Sequence, residues 1–250
     1  MKEIVVLQKV SEKSLDKFGE LLKRRCTGLE IRFIDVYNVS NGWVKVDIDG
    51  DDETAAVNLL AKEIGLAPVS ANNAPLFSVH RGRIIPSAEN EDKLFIDIGV
   101  FSPDPTYAVV PLKVLQGQLV DGKKHGFGKI QKLFGLIEDV PVEIQIVDIQ
   151  GKTFRAMLTW VQIDRFDNWI ESHLDRLIVL KSTYEETLDA VKRTKLLKDI
   201  VSVTPLGFLE QSITCKLGTV AVGLVRKLGR CLQDASLVCF SPLRIRKAIF

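Results

Sequence analysis

The sequence predicts an α+β fold of three small domains, with a five-stranded β-barrel between two layered α+β domains. Three observations carry that expectation. Segments of mixed helix and strand spacing at both ends enclose a middle in which strand-like segments dominate. The stretch 68–78, PVSANNAPLFS, holds two prolines and two asparagines and no charge, and reads as a linker. The chain has 250 residues, 46% apolar and 26% charged, which suits one large domain or two to three small ones and argues against wholesale disorder.

Residues 1–67 read β-α-β-β-α. Val5 and Leu7 alternate with polar neighbours in a first strand. Ser11 is placed to cap a helix whose apolar positions Leu15, Phe18, Leu22 and Cys26 keep helical spacing, and Gly28 ends it. Two strands follow, Glu30 to Val36 and Trp43 to Ile48, joined by a turn with Asn38, Ser40, Asn41 and Gly42. Asp51, Asp52 and Glu53 then put negative charge at the start of a second helix, where the helix dipole favours it.

Residues 79–160 carry five strand-like segments: His80 to Ile85, Lys93 to Val100, Tyr107 to Pro111, Val142 to Ile149 and Thr153 to Trp160. A short helical stretch, Lys129 to Phe134, falls between the third and fourth. That is the order of an OB-like barrel. Residues 161–173 form a connecting helix with Trp169. Residues 174–250 read β-α-β-β-α-β, a ferredoxin-like order, with a capping box between Thr183 and Glu186 at the first helix. The first domain lacks only a last strand to match it.

The 34 basic and 32 acidic residues leave a net charge of +2, unevenly spread. Residues 1–68 and 69–173 are each net −2, and residues 174–250 are net +6. A basic final third suits a polyanionic partner. No stretch approaches the roughly 20 apolar residues that span a bilayer, and the run Ile4 to Leu7 is too short for a secretion signal. A cytoplasmic protein without membrane contact is expected. Cys26, Cys215, Cys231 and Cys239 lack CxxC spacing and read as buried reduced thiols, so no metal is expected.

Three segments carry binding potential. In the second barrel strand Leu94, Ile96 and Ile98 point inward, while Phe95 and Asp97 point outward. An outward ring is a plate on which an unpaired base stacks, for about 1–3 kcal/mol per base. Tyr107 supplies a second ring, and Arg81 and Arg83 alternate on the first strand as phosphate partners. The structural alternative is that Phe95 packs beneath a neighbouring domain. The second segment, GQLVDGKKHGFGK at 117–129, mixes four glycines with Lys123, Lys124, His125, Phe127 and Lys129, a combination that suits single-stranded nucleic acid or a solvated loop. In the third, Lys216, Gly218 and Thr219 precede a helical pattern and offer an anion site, with ordinary N-capping by Thr219 as the alternative.

Two resemblances follow from these residues. Gly82, the Phe95-Ile96-Asp97-Ile98-Gly99 stretch, Ala108-Val109-Val110-Pro111 and QIVDIQGKTFRAML resemble strands of OB-fold RNA-binding domains in ribosomal and exosome proteins. The stretch DIVSVTPLGFLEQSITCKLGTVAVGLVRKLG at 199–229 resembles the C-terminal signature of an uncharacterised archaeal domain-of-unknown-function family, and the likeness extends back through QGQLVDGKKHGFGKIQKLFGLIEDVPVEIQI. The first implies RNA binding linked to translation or RNA processing. The second brings no activity and no catalytic residue.

His80, His125 and His173 lie in different segments, and the sequence has no HExxH, GxSxG or GxxxxGK[ST]. No cofactor and no catalytic residue are therefore expected. The expected function is RNA or single-stranded nucleic-acid binding. A protein-protein interaction scaffold and an enzyme acting on RNA or a nucleotide stay open as alternatives.

Overall fold

The computed structural model describes residues 1–86 and 92–249. Residues 87–91, inside the segment that resembles the RNA-binding barrels, lie outside the described residues, as does Phe250. The backbone gathers into two compact units, residues 1–74 with 98–106, and residues 75–97 with 107–250.

In the first unit β1 (Lys2–Lys9), α1 (Glu12–Arg25), β2 (Ile31–Asn38), β3 (Trp43–Gly50) and α2 (Glu53–Glu63) follow the expected order. The antiparallel sheet runs β1-β3-β2. β1 buries adjacent residues, Val5 and Val6, so both of its faces are covered. Val5, Trp43 and Ala67 form a cluster joined by Phe101. The approach is close enough to require glycine at 99, where φ is +78° and a Cβ would stand 2.6 Å from that of Ala67.

The barrel begins beside a short strand, β4 (Val69–Ser70), which pairs in parallel with the far end of β6 (Lys93–Ser102). Ser70 accepts from the amide of Asn72 to close a 3-10 turn, and the Phe77 amide donates to the Ile146 carbonyl. β5 (Val79–Ile85), β6, β7 (Thr106–Pro111), β8 (Pro141–Gln150) and β9 (Thr153–Leu158) close into a ring in the order β5-β6-β7-β9-β8. β7 and β9 are parallel, while β5 pairs antiparallel with β6 and β8. Leu94, Ile96, Ile98, Ala108, Val110, Ile144, Ala156 and Leu158 are buried, as the alternation predicts. Two helices separate β7 from β8: α3 (Leu112–Leu119), which the sequence reading missed, and α4 (Phe127–Phe134).

α5 (Trp160–Glu171) follows β9, capped by Thr159, whose Oγ1 accepts from the Gln162 amide at 3.2 Å. Trp160 thus opens a helix instead of closing the last strand. β10 (Arg176–Leu180), α6 (Tyr184–Arg193), β11 (Ile200–Pro205), β12 (Glu210–Cys215), α7 (Ala221–Leu228) and β13 (Ser236–Phe240) form an antiparallel sheet in the order β11-β12-β10-β13, the ferredoxin-like arrangement expected. The capping box forms in full: the Glu186 amide donates to Thr183 Oγ1 at 3.1 Å, and the Thr183 amide to the Glu186 carboxylate at 3.0 Å. A final helix, α8 (Pro242–Ile249), was not foreseen.

Both faces of this sheet are buried at its central strands, β12 and β10. Leu177, Ile213 and Cys215 cluster with Ala190, Val191, Leu224 and Leu228 of α6 and α7. On the other face Phe240 meets Phe134 of α4 and Phe166 and Trp169 of α5, with ring centroids 5.1–6.3 Å apart. Gly135, in the left-handed conformation that ends α4, lets the chain pass Val238 closely. This aromatic cluster holds the barrel helices against the C-terminal sheet.

Candidate functional site

The outward barrel residues do not form one open face. Arg83 is buried and donates from Nη1 to Glu210 Oε1 at 2.7 Å and to the Asp139 carbonyl at 3.0 Å. Glu210 belongs to β12, so the C-terminal domain covers this part of the barrel. The expectation that Arg83 meets phosphate is therefore corrected: its charge is matched by a buried carboxylate, and its guanidinium is out of reach of a ligand. Asp97, opposite Arg83 in the β5–β6 register, is also buried. One step along the strand, Phe95 is half-buried with Lys93 Nζ 5.2 Å from its ring centroid. Tyr107 is half-buried, and Arg81 is exposed with Nε 3.5 Å from Glu143.

The 117–129 segment is tied down at several points. Gln116 Nε2 donates to the His125 carbonyl at 2.9 Å, and the Gly122 amide to the Gln116 carbonyl at 2.9 Å. The His125 ring bridges two elements. Its Nε2 lies 2.9 Å from the Ala248 carbonyl on α8, and its Nδ1 lies 3.2 Å from Lys129 Nζ on α4. Lys123, Lys124 and Lys129 are exposed, and Phe127 is half-buried.

The third segment departs from expectation. Lys216 to Thr219 form a tight turn closed by the Thr219 amide and the Lys216 carbonyl at 2.9 Å, with Gly218 at φ +87°. The residue that caps α7 is Val220, not Thr219. The Ala221 amide at the helix start donates to Asp175 Oδ2 at 3.1 Å. The anion at that position is the protein's own carboxylate, which corrects the proposed anion site at Lys216, Gly218 and Thr219.

Asp175 also accepts from Ser241 Oγ at 2.8 Å, at the start of α8. One carboxylate thus ties the starts of α7 and α8 together beside α4. The three elements enclose a cleft of about 600 Å³. Lys129, Lys132 and Arg244 line it and are exposed, while Asp175, Cys239 and Ser241 line it and are half-buried. Leu133, Val220, Val222 and Leu243 add apolar surface. Of these lining residues the sequence had singled out only Lys129 as a binding residue. The rest come from four separate segments: Lys132 and Leu133 lie in the helical stretch read at 129–134, and for those beyond residue 174 the sequence signal was the basic excess there.

The thiols near this cleft are not activated. Burial, then the Asp175 charge, pushes the Cys239 thiol up and the Cys215 thiol up to about 11. Both are protonated at neutral pH, the wrong state for a nucleophile. Among the described residues no group of three or more His, Cys, Asp or Glu side chains is placed to hold a metal, and no helix is long and apolar enough to cross a membrane.

No curated protein matches the chain. Sequence models of one family match it in three consecutive parts: the DUF2110 N-terminal domain over residues 2–69, the DUF2110 central domain over 78–170 and the DUF2110 C-terminal domain over 174–240. The first match holds the β1-β3-β2 sheet, the second the barrel with α3, α4 and most of α5, and the third the ferredoxin-like sheet. The chain belongs to the DUF2110 family.

Proposed function

We propose that the chain binds single-stranded nucleic acid, RNA in the first instance, along the basic face made by the 121–126 loop, α4 and α8. The cleft carries this reading: cations from α4 and α8 stand at its edge to meet phosphates, and aliphatic side chains line it as apolar cover for a base. Lys123 and Lys124 extend the charge along the tethered loop. Phe95, with Lys93 beside it, remains a further stacking ring, and Arg83 takes no part. Such a protein would act in the cytoplasm, in translation or RNA processing.

A competing reading, docking of a protein partner, draws on the exposed apolar side chains Leu217, Val220, Val222 and Leu243. Salt dependence separates the two. Five cations (Lys123, Lys124, Lys129, Lys132 and Arg244) against phosphates give a slope of log K on log salt near −3.5, at about 0.7 per phosphate neutralised on a single strand. Fluorescence anisotropy of a labelled RNA oligomer measures it. The triple variant K129A/K132A/R244A is expected to bring the slope to about −1.4. Binding indifferent to salt, or none at micromolar protein, refutes the reading.

A further inference from the structure

We infer that the cleft between α4, α7 and α8 holds a single nucleotide unit, with its phosphate at the cationic edge and an amino-bearing base against Asp175. The inference rests on the proposed function for the strand to which that unit belongs. Size is the first ground. A space of about 600 Å³ lies inside the ~300–1,000 Å³ range of small-molecule pockets and suits one nucleotide better than a run of several.

Polarity is the second. Among the charged lining residues Lys129, Lys132 and Arg244 are exposed and Asp175 is half-buried, so positive charge stands outside and the carboxylate deeper. Phosphate is drawn to the edge and repelled from the interior. Asp175 Oδ1 is engaged by Ser241 and Oδ2 by the Ala221 amide. An ionised carboxylate has about four lone-pair sites, so acceptor capacity remains. The exocyclic amino groups of adenine and cytosine are donors that match it, whereas uracil presents a carbonyl oxygen at the equivalent edge. Leu133, Val220 and Val222 supply apolar surface for the faces of the base.

The test uses the full chain with oligo(A), oligo(C) and oligo(U) of equal length in anisotropy titrations, and with AMP and UMP in calorimetry. Oligo(A) and oligo(C) should bind about tenfold or more tightly than oligo(U), the scale of one hydrogen bond to a charged group. Asp175→Asn should remove most of that preference, while K129A/K132A/R244A should weaken all three oligomers alike. If Asp175→Asn does not fold, the comparison of oligomers on the natural chain decides alone. Equal, measurable affinity for oligo(A) and oligo(U) overturns the inference and leaves strand binding standing. AMP binding with oligo(A) no tighter than AMP supports the cleft as a site for a free nucleotide and sinks strand binding. No binding of any probe sinks both.

Discussion

Removing Arg83 should damage the fold and leave nucleic-acid binding electrostatics intact. The Arg83 and Glu210 side chains are 6% and 1% exposed, with 2.7 Å between Nη1 and Oε1. Breaking such a pair from one side leaves an uncompensated buried charge, which costs about 3–5 kcal/mol. Arg83→Met removes the partner of the buried Glu210 carboxylate, and Glu210→Met removes that of the guanidinium. The double variant R83M/E210M removes both charges of the pair together. It also loses the donor to the Asp139 carbonyl, about 1 kcal/mol, and should cost clearly less than the two single variants summed. Urea unfolding followed by tryptophan fluorescence measures all four proteins, since Trp169 lies in the aromatic cluster under the C-terminal sheet. The coupling between the two sites should reach at least about 3 kcal/mol. Single losses under about 1 kcal/mol, or strict additivity, refute the reasoning. A second readout separates structure from binding. Under conditions where R83M is folded, its salt slope for RNA should match that of the natural chain, whereas a lost phosphate contact would lower the slope by about 0.7.

Three further outcomes follow from local geometry. Gly99→Ala should cost about 3 kcal/mol or more, from the left-handed backbone and the collision with Ala67, and should appear as a lowered urea midpoint. Thr183→Ala removes one half of the capping box and should cost about 1 kcal/mol, with Thr183→Ser recovering most of it in the same assay. The Cys215 thiol is raised in the folded chain to about 11 from an ordinary value near 9, so folding favours its protonated form. Its stabilising contribution is complete below about pH 9 and is lost as the pH climbs toward 11. The stability of the natural chain should fall across that window relative to Cys215→Ser, and parallel pH curves would remove the claim.

Much of the local architecture was legible because it is written in short-range periods and caps. The alternation of Leu94, Ile96 and Ile98 fixed the inward side of β6, and the Thr183–Glu186 spacing set the start of α6. The order of strand and helix signals was enough to expect the barrel and the β-α-β-β-α-β sheet. The two missed helices are short: α3 directly follows a strand, and α8 lies beyond the last strand signal.

Tertiary structure alone decided what covers each side chain. Alternation correctly put Arg83 on the outside of the barrel, but no local pattern reports that a glutamate 127 positions later arrives on top of it. The same holds for the cleft. Lys129, Asp175, Val220 and Arg244 are far apart in the chain, and they meet because Phe134, Phe166, Trp169 and Phe240 pack α4 and α5 onto the C-terminal sheet. Periodicity describes the neighbours a residue has along its own element, whereas burial and charge pairing depend on non-directional packing between elements, which appears only once the chain has closed on itself.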